Sequence, residues 1–448
     1  MDFLRNLFTI AFPIIAQNFL SSFVNMLDTI MVGQLGSVDI AAVGLGNQIF
    51  FVMSVIMFGV VSGGSIFISQ FWGKKDMDGV HRTMGITIIL SSAVSIVFFL
   101  LATIIPELCL GIYSNDEVVI KRGADYLRAV APSYLFIGIG FAFGHAERST
   151  ERVKLPMTAT AISVVVNCVL NYVLIFGVSI KGKQLVNPHG IIGAAIATDI
   201  ARLVELIILV VVPYLKHYEI AASPAKYFKI QRGFLPKYIR ICLPVLINEG
   251  LWGFGASMQN AVFAHAGTLI IAAFNITGTI SNLIWTFFMG CGNAVAIIIG
   301  KTIGEAQYDK ARTLAKKSIL FLTVSAAVLS LLLIPLAKLL PFFFKVEEDV
   351  IYMARTFLYM TVVLYPLYAI NMCMVVGVCR SGGDTIYALI MDVGFMWCIS
   401  LPLGWLAVTV WHLPFWVIFL CLHTEDIGKA TMGLIRLFNG KWVRDVTR

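Results

Sequence analysis

The chain has 448 residues, of which 59% are hydrophobic and only 13% are charged, and its mean hydropathy is positive. This composition excludes a soluble domain. The net charge of +8 is spread along the chain without a separate basic domain, which argues against a nucleic-acid-binding protein.

Apolar runs follow one another along the whole chain, and most of them have about 20 residues, the length that a helix needs to cross a bilayer. The first run is long and lacks a small-residue cleavage pattern, so we interpret it as a span rather than a signal peptide. The sequence therefore predicts an all-α polytopic membrane protein with twelve transmembrane helices. The predicted spans cover 8–32, 43–70, 85–106, 128–146, 157–178, 191–214, 238–263, 268–300, 317–340, 351–378, 385–410 and 413–436.

The second half of the chain repeats the first half without a gap from Pro13 to Asp78, at a spacing of 231 residues. Pro13 corresponds to Pro244, and Gly73 corresponds to Gly304. Each copy holds six predicted spans, and an even number makes both copies enter the membrane from the same side, as parallel repeats. We predict an N-terminal six-helix lobe (1–214), a cytoplasmic linker (215–237) and a C-terminal six-helix lobe (238–448).

The positions of the charged residues predict the orientation in the membrane. Most of the 33 Lys and Arg residues fall between spans on the side that also holds the N-terminus. Since positive charge is retained in the cytoplasm, both termini are expected there. We therefore predict a multi-pass protein of the cell membrane, and the pattern fits a bacterial cytoplasmic membrane.

The sequence contains no complete motif of the enzyme classes considered. Gly300-Lys301-Thr302 is similar to the end of a phosphate-binding loop, but Val295 stands where the leading glycine is needed. The chain has no His-Glu-x-x-His motif and no paired-cysteine zinc spacing. We therefore predict no enzymatic activity, no nucleotide partner, no cofactor and no tightly bound metal.

Acidic residues inside the predicted spans are the candidates for function, because an ionisable group in the hydrocarbon is costly. Asp28 lies near the outer end of span 1, where the alternative is an interfacial acid that anchors the helix end. Glu249 lies in the middle of span 7 with no Lys or Arg within a helical turn. Trp252 is close to it, and an acid beside an aromatic face suits a flat organic cation. Asp392 in span 11 is a further candidate, unless neighbouring polar groups satisfy it.

Two clusters of charge favour structural interpretations instead. Asp199 lies in the middle of span 6, with Arg202 three residues later and Glu205 beyond it. This spacing permits a local ion pair between Asp199 and Arg202 and favours self-neutralised helix packing, with a role in the proton path as the alternative. Glu425 and Lys429 form an i,i+4 pair in span 12, which we interpret as electrostatic stabilisation of a helix end.

Several motifs, in a specific order, resemble those of the multidrug and toxic compound extrusion (MATE) transporters, in particular the bacterial NorM- and DinF-like members. The resemblance extends from about residue 6 to about residue 440. The motifs are Pro13 with Asp28-Thr29-Ile30-Met31-Val32-Gly33, Gln70-Phe71-Trp72-Gly73, Arg148-Ser149-Thr150, Pro244 with Asn248-Glu249, and Arg380-Ser381-Gly382-Gly383-Asp384-Thr385.

The resemblance implies two six-helix lobes around a central cavity and places the coupling carboxylate of the N-terminal lobe at Asp28. Asn167 and Asn171 in span 5 and Thr198 in span 6 match the positions that surround this acid. A desolvated carboxylate takes up a proton readily, and amide and hydroxyl oxygens also bind hard cations. The coupling ion is therefore a proton or sodium at these four residues. Hydrogen bonding between helices is the alternative role for the two Asn residues.

The resemblance also implies a second site in the C-terminal lobe. Some relatives carry an acid at the position of Glu249, and others carry a second acid near Asn371, where this chain has an amide. We therefore predict a substrate or second cation site at Glu249, Trp252, Asn371 and Asp392.

Together, these features predict a secondary active multidrug efflux transporter that exchanges organic cations and drugs for protons or sodium ions. Its expected partners are cationic amphipathic small molecules and membrane lipid, and it is expected to act as a monomer. A flippase for lipid-linked precursors is an alternative, but it should carry more cationic residues in its cavity to hold a pyrophosphate. A passive channel is a further alternative, which buried lone acids and kinked repeat helices disfavour.

Overall fold

The computed structural model describes residues 2–180, 183–229, 233–344 and 346–448. Its architecture is helical almost throughout, and the predicted polytopic helical fold is confirmed. Within the described residues, twelve helical spans follow the order of the predicted ones, and most begin or end several residues beyond the apolar run. We number them 1 to 12 in chain order: Asp2–Gly33, Ser37–Lys74, Met77–Ile104, Glu117–Ser149, Lys154–Phe176, Gly190–Leu215, Phe234–Ala266, Thr268–Gly304, Tyr308–Ser330, Glu348–Met372, Thr385–Phe395 and Thr424–Asn439.

The last four spans have additional helical segments. Leu333–Phe343 follows span 9, and Phe415–Leu422 precedes span 12. Span 10 continues as a π-helix, Cys373–Arg380, and span 11 continues through a second π-helix, Met396–Ser400, into Leu401–Thr409. π-helical turns widen a helix locally and are frequent at functional sites. Two short helices, Pro106–Gly111 and Pro224–Tyr227, lie outside the spans.

Ten helices of the described chain are both long and apolar enough to cross a membrane. Span 6 is not among them, because it contains Asp199, Arg202 and Glu205 within seven positions. Span 12 is not among them either, since the helix is interrupted at His423. Both spans therefore carry charge into the helical bundle, and both contribute to the sites described below.

A small antiparallel hairpin joins spans 5 and 6 and was not predicted. Val178–Ile180 pairs with Lys183–Val186, and Val178 lies opposite Val186. The predicted linker 215–237 includes 230–232, which lie outside the described residues. The cytoplasmic location of the termini stays a prediction.

The helices form two units, which we name by the half of the chain that supplies most of each. The N-terminal unit is Ala16–Ile68 with Asp76–Pro236, and the C-terminal unit is Met1–Ile15, Ser69–Lys75 and Lys237–Arg448. Spans 1 and 2 therefore each contribute one end to the C-terminal unit. The predicted lobe boundaries stay a prediction.

Two glycines of the repeat explain how the end of span 2 packs in the C-terminal unit. A Cβ atom on Gly73 would overlap the carbonyl group of Lys301, and one on Gly304 would overlap the carbonyl group of Gln70. The two contacts are reciprocal, so spans 2 and 8 approach backbone to backbone. Only glycine permits this distance.

Candidate functional site

The four residues of the predicted ion-coupling site, Asp28, Asn167, Asn171 and Thr198, lie together in the N-terminal unit. Asn171 is buried and its amide nitrogen donates a hydrogen bond to Asp28 on span 1. The same nitrogen donates to Oδ1 of Asn167, one helical turn earlier, at 3.0 Å. Asn167 Nδ2 lies 3.4 Å from the hydroxyl of Thr198 on span 6. Spans 1, 5 and 6 thus form one connected polar cluster.

This cluster faces a cavity inside the N-terminal unit, with about 710 Å³ of open space including its mouth. Apolar side chains such as Val24, Phe50 and Val164 form part of its wall. Its polar lining comes from spans 1, 2, 4, 5 and 6, and includes Asp28, Asn47, Tyr126, Thr160, Asn167 and Arg202. An apolar wall with a few converging polar groups is typical of a small-molecule or ion site.

Asp28 forms no ion pair with any described residue of the chain; its described side-chain partner is Asn171. The carboxylate is half-buried. Taking a carboxylate out of water without a counter-ion is costly, and one amide hydrogen bond offsets only part of that cost. The geometry therefore leaves this group able to bind a proton or another small cation.

Asp199 does not form the local ion pair that its spacing permitted, so that prediction was wrong. Arg202 Nη1 pairs instead with Glu205 Oε2 at 2.7 Å. Asp199 Oδ1 accepts a hydrogen bond from the backbone N–H of Ser133 at 2.9 Å. Pro132 precedes that residue in span 4 and interrupts the helical hydrogen bonding there. Asp199 therefore accepts a hydrogen bond from a backbone N–H group next to the proline.

A polar network next to the cavity was missed by the sequence analysis. Arg148 on span 4 donates to Oε1 of Gln17 on span 1 at 2.6 Å. Gln17 Nε2 donates to the hydroxyl of Thr160 on span 5 at 2.8 Å, and that hydroxyl donates to Glu205 Oε1 at 2.6 Å. One signal was available, since Arg148 corresponds to Arg380 in the repeat.

In the C-terminal unit, Glu249 is not the unpaired acid that its local sequence indicated. Arg380, at the end of the π-helix after span 10, forms an ion pair with Glu249 Oε1. Both side chains are almost fully enclosed, with 4% of Arg380 and 12% of Glu249 exposed. No Lys or Arg lies within one helical turn of Glu249 on its own span, and this counter-ion comes from another span.

Asp392 is likewise neutralised by another span. Its Oδ1 lies 2.8 Å from Lys429 Nζ on span 12, and its Oδ2 accepts from Asn248 Nδ2 at 3.0 Å. Lys429 also contacts Glu425 at 3.2 Å, as the i,i+4 spacing predicted. Because the Lys429 side chain is only 5% exposed, this contact is a buried one and lies in the interior of the unit.

The remaining two predicted residues of the second site have different surroundings. Asn371 is buried and donates to Oδ1 of Asp426 on span 12 at 2.9 Å. Trp252 is half-buried, three positions after Glu249 on span 7. Phe254, two residues after Trp252 on span 7, stacks on Trp397, five residues after Asp392 in the π-helix that continues span 11. Their ring centres are 5.4 Å apart.

Comparison with known proteins identifies the family of the chain. The MatE family model matches residues 13–173 and 252–406, which is well over half of the chain. The chain is 27% identical to the uncharacterized transporter YisQ of Bacillus subtilis over 405 residues, covering 90% of this chain and 87% of that protein. It is 22% identical to a probable multidrug resistance protein NorM of Thermotoga maritima, covering 98% and 93% of the two chains.

Solved structures show the same fold. A variant of the Vibrio cholerae MATE transporter VcmN superposes with a TM-score of 0.87 at 19% identity, covering 100% of this chain and 99% of that one. An outward-facing multidrug resistance MATE transporter gives a TM-score of 0.86 at 17% identity, covering 97% and 96%. The family consists of transporters and not of enzymes, and the apolar helices make this a multi-pass protein of the cell membrane. The chain therefore belongs to the MATE family of membrane transporters.

Proposed function

We propose that this protein is a secondary active multidrug efflux transporter that exports cationic amphipathic compounds in exchange for an inward-moving ion bound at Asp28. The proposal rests on one observation above all. Asp28 faces a cavity without an ion-pair partner among the described residues, whereas Glu249 and Asp392 are each neutralised by a cation from another span. An uncompensated carboxylate is the group whose state an incoming ion changes most.

The hydrogen bonds around Asp28 favour a proton as the coupling ion. Asn171 directs its nitrogen, and not its oxygen, to both Asp28 and Asn167. Asn167 in turn uses its nitrogen toward Thr198. A sodium ion needs several oxygens that converge on one point, by analogy with other hard cations. A proton needs only the carboxylate oxygen itself.

The C-terminal unit supplies the second element of the proposal, a surface for the organic cation around Glu249, Trp252, Asn371 and Asp392. Around Glu249 and Asp392, the acids among the described residues outnumber the cations, since Glu425 and Asp426 add to the two paired acids, while Arg380 and Lys429 oppose them. This excess of negative charge favours a cationic substrate. It disfavours the precursor flippase, whose substrate carries a pyrophosphate.

The test is transport in liposomes. A fluorescent organic cation is followed under an imposed proton gradient, a sodium gradient or no gradient, with wild type, Asp28→Asn and a control. Asp309→Asn is the matched control, because that side chain is 97% exposed. We expect proton-driven transport by wild type and by the control, and its loss in Asp28→Asn. Transport that ignores both gradients, or an unchanged Asp28→Asn, would remove the proposal and favour the flippase.

A further inference from the structure

A carboxylate beside the coupling cavity has the geometry of a second proton acceptor. Glu205 on span 6 accepts a hydrogen bond from the Thr160 hydroxyl at 2.6 Å. Thr160 lines the same cavity as Asp28, and so does Arg202, the counter-ion of Glu205. We infer that Glu205, reached through the Thr160 hydroxyl, receives the coupling proton after it leaves Asp28. This inference rests on the proposed function and on a proton as the ion.

The hydrogen-bonding capacity of Thr160 supports a relay. A threonine hydroxyl has one proton to donate and two lone pairs that accept. The proton is directed to Glu205, and one lone pair accepts from Gln17 Nε2 at 2.8 Å. One lone pair is left for a donor from the cavity side. A polar cavity of this kind holds water, which can donate to it.

The transfer balances as a series of proton shifts. Asp28 loses its carboxyl proton to water in the cavity, and that water passes a proton to the Thr160 oxygen. Thr160 at the same time gives its own hydroxyl proton to Glu205, so the threonine ends neutral. Asp28 becomes a carboxylate and Glu205 becomes a carboxylic acid. The proton then leaves Glu205 for water on the predicted cytoplasmic side. The 2.6 Å distance between the Thr160 hydroxyl and Glu205 Oε1 suits the transfer from Thr160 to Glu205.

The groups that face Glu205 come from four spans. Arg202 on its own span pairs with it at 2.7 Å. Thr160 on span 5 donates to it, and Gln17 on span 1 orients that threonine. The Arg148 guanidinium on span 4 interacts with it electrostatically and holds Gln17 at 2.6 Å. A proton on Glu205 removes the negative charge that Arg202 neutralises, which favours passing the proton on.

The experiment separates a relay from a structural role by comparing two transport modes in proteoliposomes. One mode is proton-driven transport of a fluorescent organic cation, with a pH-sensitive dye to record proton movement. The other mode is exchange of the same cation at equal concentration and equal pH on both sides, which needs no proton release. The variants are Thr160→Val, Thr160→Ser, Glu205→Gln and Glu205→Asp. Thr158→Val is the control, because Thr158 is an exposed residue of the same span whose described side-chain hydrogen bonds go to carbonyl groups of its own helix.

We expect Thr160→Val and Glu205→Gln to slow the proton-driven mode by about tenfold or more and to leave exchange unchanged. Thr160→Ser and Glu205→Asp should retain most of the proton-driven rate. An equal fall in both modes would mean that these residues only hold the fold, and an unchanged Thr160→Val would also overturn the relay. If Glu205→Gln fails to fold, the two Thr160 variants decide. Loss of gradient drive in Asp28→Asn alone would retain the proposed function and remove only the relay.

Discussion

Thr160 and Asp392 each accept a hydrogen bond from an amide side chain 143 or 144 residues earlier in the chain. Gln17 donates to Thr160 at 2.8 Å in the N-terminal unit, and Asn248 donates to Asp392 at 3.0 Å in the C-terminal unit. Gln17 and Asn248 are themselves equivalent in the repeat, at the spacing of 231 residues. The two units therefore keep one polar contact between corresponding spans.

The difference between the two copies explains their different chemistry. Asp392 carries a charge and recruits Lys429 as a buried counter-ion. Thr160 is neutral, and its hydroxyl donates a hydrogen bond to Glu205 instead. In the C-terminal unit the acid at this contact is thus neutralised, whereas in the N-terminal unit a carboxylate stands one hydroxyl away from the cavity of Asp28. The two copies thus share the contact between an amide and an oxygen acceptor, but the acceptor is a neutral hydroxyl in one copy and a carboxylate in the other.

Asn171→Leu tests the hydrogen bond to Asp28. Leucine has a similar volume but cannot donate, and a hydrogen bond to a charged group contributes about 1.5–3 kcal/mol. We expect the rate of proton-driven transport in liposomes to fall more than about tenfold. Asn260→Leu is the control, because Asn260 is exposed and bonds a carbonyl of its own helix. Equal rates in the two variants would contradict a role for Asn171.

Arg380→Gln tests the buried ion pair of the C-terminal unit. It leaves the Glu249 carboxylate buried without its counter-ion, which costs about 3–5 kcal/mol. We expect a markedly lower Tm in detergent for the single variant. The double variant with Glu249→Gln should recover much of the loss, since no unpaired charge is left. A double variant no more stable than Arg380→Gln would show that the pair is not the cause.

Gly73→Ala tests the backbone contact between spans 2 and 8. The added methyl group would overlap the carbonyl group of Lys301, and such overpacking costs about 1–3 kcal/mol. We expect a lower Tm and slower transport. Gly44→Ala, on the same span 2, has no atom within 4 Å of the added Cβ and should be neutral or slightly stabilising. Similar behaviour of the two variants would refute the close contact.

Asp384→Asn tests the attachment of the chain after span 12. Asp384 is 1% exposed and pairs with Arg436 at 2.6 Å and with Arg444 at 2.7 Å. Loss of its charge leaves the enclosed Arg436 uncompensated, which costs about 3 kcal/mol. We expect a lower Tm and faster proteolysis beyond Gly440. The control is Asp309→Asn, whose exposed pair with Arg312 contributes little. Unchanged proteolysis of Asp384→Asn would show that the ion pairs do not hold this segment.

The sequence alone determined the class of protein and the outline of the fold. Span length follows from the thickness of hydrocarbon, and the repeat of Pro13 to Asp78 at 231 residues requires two related halves. The placement of Asp28, Asn167, Asn171 and Thr198 in spans 1, 5 and 6 was also within reach, because the family resemblance covers those spans. These features depend on local composition and on order along the chain.

Only the tertiary structure decided which charges are neutralised. Nothing within a helical turn of Glu249 reveals Arg380, because an ion pair between spans depends on how the helices are rotated and packed. The same holds for Asp392 with Lys429. It also holds for Arg202, which pairs with Glu205, while Asp199 accepts a hydrogen bond from the backbone of Ser133 next to Pro132. The spacing of residues along one helix shows which ion pairs can form within that helix. The packing of the helices determines which charged groups are buried side by side, and buried charges must be paired.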